Sequence, residues 1–218
     1  MALCGVPVEF NDTPLQRAPL VTWSLAAIIA IVSLAALTNL QAAVEDWGLI
    51  PAAFGRHLGL TFLTSFFLHG GYSHLIGNLY SLIVFGDNAE DVLGKRRFLL
   101  LVALAAAAGD IAQILADPHA TIPSVGASGG ISGILAYYCL RFPSASVGIV
   151  WWFRWIRPPV VIMFAQWVLW QAFEAFYIPA EVTGVASFAH LGGAAVGVLF
   201  WWWTRRAAAA GTWQPEAS

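Results

Sequence analysis

Charge is scarce in this sequence. Only 10% of its 218 residues are Asp, Glu, Lys or Arg, whereas soluble domains run near 25%. A net charge of −2 excludes the basic footprint of a nucleic-acid binder, so no nucleic-acid partner is expected. Cysteine is nearly absent as well. Cys4 and Cys139 cannot make a disulfide framework, and no Cys/His or His-Glu-x-x-His spacing suggests zinc. No basic cluster opens the chain, and the first apolar run, Ala18 to Leu40, is longer than the roughly 7–15-residue core of a secretory signal. It therefore reads as a retained helix. Neither an internal repeat nor a low-complexity tail is evident beyond Ala207–Ala210.

What fills the chain instead is apolar. Hydrophobic residues make up 59% of it, and the mean hydropathy is +0.73. A bilayer core needs about 20 mainly apolar residues per helix. Six stretches qualify, at about 18–40, 61–86, 97–116, 126–142, 158–178 and 186–204. Strands are excluded as spans, because unpaired backbone groups cannot face hydrocarbon. The expected architecture is all-α: a polytopic six-helix membrane domain over 18–206, with cytoplasmic tails at 1–17 and 207–218.

Basic residues give the orientation. Arg17, Lys95, Arg96, Arg97, Arg141, Arg154, Arg157, Arg205 and Arg206 fall on one side, and Arg56 alone on the other. The positive-inside rule then places both termini in the cytoplasm. Trp151, Trp152, Trp155 and Trp201–Trp203 cluster where the spans should meet the cytoplasmic headgroups. The apolar loop 43–60, with Trp47, Leu49 and Ile50, is expected in the outer interface.

Polar side chains inside spans are costly and are functional candidates for that reason. The second span offers His69, His74 and Asn78; the fourth opens with Gly126-Ala127-Ser128-Gly129 and continues to Ser132; the sixth holds His190. All fall in the outer halves of their helices and can meet at one depth. Ser128 and His190 make a nucleophile and a base, since a hydroxyl attacks only when a neighbour takes its proton. His74 and Asn78 are four apart, share a helix face, and can both donate to an oxyanion. Ser128 opens its helix, where backbone N–H groups are unpaired. Gly129 with Gly133, and Gly193 with Gly197, have the spacing that lets two helices approach closely.

Three segments now carry a resemblance. His69-Gly-Gly-Tyr-Ser-His74-Leu-Ile-Gly-Asn78, Gly126-Ala-Ser-Gly-Gly-Ile-Ser-Gly133 and Ala189-His190-Leu-Gly-Gly193, in that order, resemble the motifs of rhomboid intramembrane serine proteases. Phe85-Gly-Asp-Asn-Ala-Glu90-Asp-Val-Leu-Gly94 looks like the family's exit from the second span. The resemblance implies a Ser128–His190 dyad, an oxyanion site at His74 and Asn78, and no cofactor. It implies transmembrane protein substrates within the lipid bilayer and, for a bacterial type, a location in the inner membrane. The pattern departs at Ser132, where many relatives carry an aromatic residue against the histidine ring.

Other readings compete. Gly126-Ala-Ser-Gly-Gly130 also matches the nucleophile elbow of soluble hydrolases, which needs a preceding strand. Asp110 and Glu174 could complete a triad, but bonds to neighbouring helices or to water suit them better. Asp87 and Glu90, beside Lys95–Arg97, read as a solvated loop network. A proton-relaying transporter would need inverted repeats or broken-helix pairs. A catalytically dead relative would lack the serine or the histidine.

Overall fold

The computed structural model describes residues 8–10, 15–151, 154–178 and 180–214; Cys4 and Trp152 lie outside them. A short strand, β1 (Val8–Phe10), precedes α1 (Leu20–Ala36), which runs through a 3-10 turn into α2 (Leu40–Trp47). Helices α3 (Thr61–Phe67), α4 (Tyr72–Leu93), α5 (Lys95–Ala116) and α6 (Ser128–Arg141) follow. Strands β2 (Ser146–Trp151) and β3 (Arg154–Ile156) precede α7 (Val160–Tyr177), α8 (Ala180–Thr183) and α9 (Ser187–Ala209). The fold is an all-α membrane bundle. Among the described residues three strands form a small antiparallel sheet in the order β1-β2-β3, outside the long helices.

Helix α6 lies at the centre, packed on α4, α5, α7 and α9. Tyr137, Tyr138, Phe98, Leu101, Leu82, Ile29 and Ile134 are fully buried around it. Outward, Ile31, Leu34, Leu104, Leu115, Leu169, Phe176 and Leu199 are exposed, as helices facing lipid require. Segments Leu20–Trp47, Lys95–Ala116 and Val160–Tyr177 are long and apolar enough to cross a membrane. Helix α6 has only 14 residues. At 1.5 Å per residue that is about 21 Å, short of the roughly 30 Å hydrocarbon core.

The expected span 61–86 is two helices. Helix α3 stops at Phe67 and α4 restarts at Tyr72, after Gly70-Gly71. Tertiary bonds satisfy the carbonyls that a helix end leaves open. Ser33 Oγ donates to Phe67 O at 2.8 Å, and Gly126 N to Ser65 O at 2.9 Å. Helix α4 then continues to Leu93, beyond the expected boundary at 86.

Glu90 corrects a second expectation, and Asp87 is half-buried. Glu90 is 3% exposed, not solvated. Its carboxylate accepts from Val21 N (3.0 Å), Thr22 N (2.7 Å) and Thr22 Oγ1 (2.8 Å). Asp91 accepts from Gln16 N and Arg17 N, each at 2.9 Å. These carboxylates take up the open N–H groups at and just before the start of α1, where the helix dipole favours negative charge.

Helix α9 runs on to Ala209, past the expected end of the sixth span at 204. Beyond it Trp213 is buried under the Arg97 guanidinium, 5.8 Å from the ring centre.

Candidate active site

Gly126 has a φ of +127° and turns the chain into α6. A side chain at Gly126 would meet the His74 ring at 2.8 Å, so the turn needs glycine and seats His74 beside the helix start. Ser128 is the first residue of α6. Its backbone N–H has no partner one turn back and can serve an anion.

Glycine decides how near α9 comes. A Cβ on Gly193 would lie 1.9 Å from Gly129 O, and one on Gly197 would lie 2.2 Å from Gly133 O. The two backbones therefore touch along the glycine pairs. That brings Ser128 Oγ within 2.8 Å of His190 Nε2, across 62 residues of sequence. Both side chains are half-buried. Proton transfer from hydroxyl to imidazole needs about this distance.

His74 and Asn78 share the facing side of α4. One N–H of the Asn78 amide donates to His74 O at 2.9 Å, which leaves the second free for another acceptor. Asn78 Oδ1 is buried with no partner among the described residues. Asn78→Ala is therefore expected to leave the melting midpoint nearly unchanged. As an oxyanion donor, Asn78 would lower kcat by roughly 10–10³-fold when lost. Full activity in both Asn78→Ala and His74→Ala would make the pair structural.

His69 stands apart from this chemistry. It is fully buried, pairs through Nδ1 with Ser33 Oγ at 2.9 Å, and meets the His74 ring edge-on at 4.9 Å. Ser132 Oγ donates to Ser128 O at 2.6 Å, the common back-bond of a helical serine. Asp110 lies half-buried on α5.

Two residues escaped the sequence reading. Gln171, 3% exposed on α7, puts its Oε1 against His190 Nδ1. Trp167 lies alongside the His190 ring, with centroids 5.7 Å apart and planes 36° apart. A buried amide in an apolar span was the available signal, by the same rule that singled out Glu174. Glu174 itself accepts from Gln171 Nε2 at 2.6 Å and from Ser187 Oγ at 3.4 Å.

The model of the Rhomboid domain family matches residues 56–207. The chain belongs to the rhomboid family. All the residues around Ser128 described above except Ser33 fall inside the matched segment. This rhomboid is 34% identical over 158 residues to presenilin-associated rhomboid-like protein A, mitochondrial, of Danio rerio, covering 69% of this chain and 38% of that one. It is 38% identical over 76 residues to putative rhomboid protease YdcA of Bacillus subtilis (strain 168), covering 35% and 38%. It is 30% identical over 148 residues to rhomboid-like protein 11, chloroplastic, of Arabidopsis thaliana, covering 63% and 50%. This rhomboid thus spans half or less of the length of these relatives. It is a multi-pass membrane protein.

Proposed function

We propose that this rhomboid is an intramembrane serine endopeptidase that cleaves transmembrane segments of other membrane proteins, with Ser128 as nucleophile and His190 as base. The observation that carries the reading is the 2.8 Å contact between Ser128 Oγ and His190 Nε2 at the start of a helix shorter than the hydrocarbon core is thick. With Arg141 at the inner headgroups, Ser128 stops several ångström below the outer surface, within reach of external water. The segments 43–60 and 117–126 are bonded together above it, through Leu49 with Ser124 and Ala52 N with Ala120 O.

Catalysis then runs in two halves. Ser128 Oγ bonds to the acyl carbon of the substrate while its proton passes to Nε2. His74, the free Asn78 N–H and the Ser128 backbone N–H receive the oxyanion. The imidazolium returns its proton to the departing amine, leaving an acyl-enzyme. Water, deprotonated by His190, releases the acid and restores the serine. Each step uses only groups of this chain, the substrate and water.

The test is reconstitution of the pure protein in lipid vesicles with a single-span substrate. Cleavage near the outer end of the substrate's span, with a fluorophosphonate label on Ser128, is the expected outcome. An intact substrate and an unlabelled protein would sink the proposal.

The domain and its placement belong to the same proposal. Residues 18–206 would cross six times, between cytoplasmic segments 1–17 and 207–218. The one-sided distribution of basic residues supports this. Arg205 and Arg206 lie over Trp201 and Trp202, at 5.4 and 4.9 Å from the ring centres, as interfacial anchors do. A reporter that works only in the cytoplasm, fused after Ser218, should be active. Signal there from a reporter that works only outside would overturn the orientation.

A further inference from the structure

We infer that Gln171, held by Glu174, is the positioning residue that sets the tautomer and orientation of the His190 ring. This rests on the dyad proposed above. Trp167, Gln171 and Glu174 are spaced i, i+4 and i+7, so one face of α7 presents all three. That face meets His190, on α9, from the side away from Ser128.

The direction of each hydrogen bond follows from what each group can donate. To accept the Ser128 proton, Nε2 must be bare, so the ring proton must sit on Nδ1. Nδ1–H then needs an acceptor, and Gln171 Oε1 is there. An amide can also turn its NH₂ toward the ring, which would favour the wrong tautomer with the proton on Nε2. Glu174 prevents that turn. An ionised carboxylate only accepts, so the amide must give it Nε2–H, at 2.6 Å, and keep its oxygen toward His190. Ser187 Oγ donates to the same carboxylate oxygen at 3.4 Å.

The network is shielded from water. Gln171 is 3% exposed, Ser187 5% and Glu174 9%, and a hydrogen-bond chain in such surroundings is stronger than in water. When Ser128 gives up its proton, Nδ1–H stays on the ring and stays bonded to the amide oxygen. The carboxylate beyond the amide offsets the new positive charge without taking a proton. Trp167 flanks the ring. Helix α6 offers no ring contact at Ser132, whose hydroxyl is bound to Ser128 O. Helix α7 thus supplies the ring contact to His190.

The experiment uses the full chain in lipid vesicles. It compares wild type, Gln171→Leu, the exchange Gln171→Glu with Glu174→Gln, and Ser128→Ala. The rate of fluorophosphonate labelling reports the dyad alone; kcat, KM and the melting midpoint are measured beside it. Gln171→Leu is expected to lower labelling and kcat by about 10–100-fold, less than the roughly 10⁴-fold seen when a base loses its orienting acid, with KM nearly unchanged. The exchange is expected to recover most of that loss. Its new carboxylate still accepts Nδ1–H, and its new amide still donates to that carboxylate. A side chain that merely filled space would show neither the isolated fall in kcat nor the recovery. Wild-type labelling by Gln171→Leu, or an exchange no faster than Gln171→Leu, overturns the inference while an inert Ser128→Ala leaves the dyad standing. Cleavage by Ser128→Ala would bring down both.

Discussion

Ser128→Ala is expected to abolish cleavage and fluorophosphonate labelling, while Ser132→Ala keeps substantial activity. The two serines lie one turn apart on the same face of α6, each within a Gly-x-Ser-Gly pattern, so facing direction cannot separate them. Bonding separates them. Ser128 Oγ lies 2.8 Å from an imidazole nitrogen, whereas Ser132 Oγ is 2.6 Å from the carbonyl of its own helix and is engaged as donor. Ser132 also lies about 6 Å deeper at 1.5 Å per residue and is 3% exposed. Around it the backbone N–H groups already bond carbonyls one turn back, so an oxyanion there would find no backbone donor. Mass spectrometry of the labelled peptide decides the matter. A label on Ser132, or a fully active Ser128→Ala, would move the nucleophile inward and dismantle the oxyanion site.

A single methyl group on Gly193 is expected to cost as much as losing the nucleophile, by another route. The new Cβ would stand 1.9 Å from Gly129 O. A Cβ has no rotamer through which to escape, and the opposing atom is backbone. Helices α6 and α9 must separate, and Ser128 and His190 ride on those two helices. Overpacking in a tight core typically costs about 1–3 kcal/mol. A shift of even 1 Å between Ser128 Oγ and His190 Nε2 removes their hydrogen bond. Gly193→Ala should therefore lower the melting midpoint and lose labelling together. Gly77→Ala is the control, with nothing within 4 Å of its new Cβ on α4. Its midpoint should hold or rise, since alanine favours helix over glycine by about 1 kcal/mol. If Gly193→Ala melts and labels like wild type, the glycine seam does not set the site.

Much of this was readable from residue types because chemistry and packing used local patterns. Gly193 and Gly197 follow His190 at helical spacing, so the face carrying the histidine had to be the close-packed one. His74 and Asn78 gave their shared face in the same way. The break at 68–71 was not readable, because Thr61–Leu68 is as apolar as a span should be. Its end is set by Ser33 and by Gly126 N, from distant parts of the chain. Glu90 was misread for a similar reason. A carboxylate near three basic residues suggests water, and only the open N–H groups of α1 reveal why it is buried. Gln171 was missed because a lone glutamine carries no motif. Its meaning comes from Nδ1 of a histidine nineteen positions away.

The carboxylate of Glu90 and the hydroxyl of Ser33 bear on where this protein can be cut. The segment matched by the family model starts at residue 56, after α1 has ended. Yet α1 supplies Val21 N, Thr22 N and Thr22 Oγ1 to Glu90, and the hydroxyl that holds His69 behind His74. A chain begun at 56 would keep each residue assigned to chemistry and still bury a carboxylate stripped of these three donors. Removing one side of a buried charged contact costs about 3–5 kcal/mol, a large part of a typical domain's roughly 5–15 kcal/mol of stability. Inheritance and folding thus draw different borders here. The portion that can be transplanted into another protein must reach back to Gln16, where Asp91 takes its first bond.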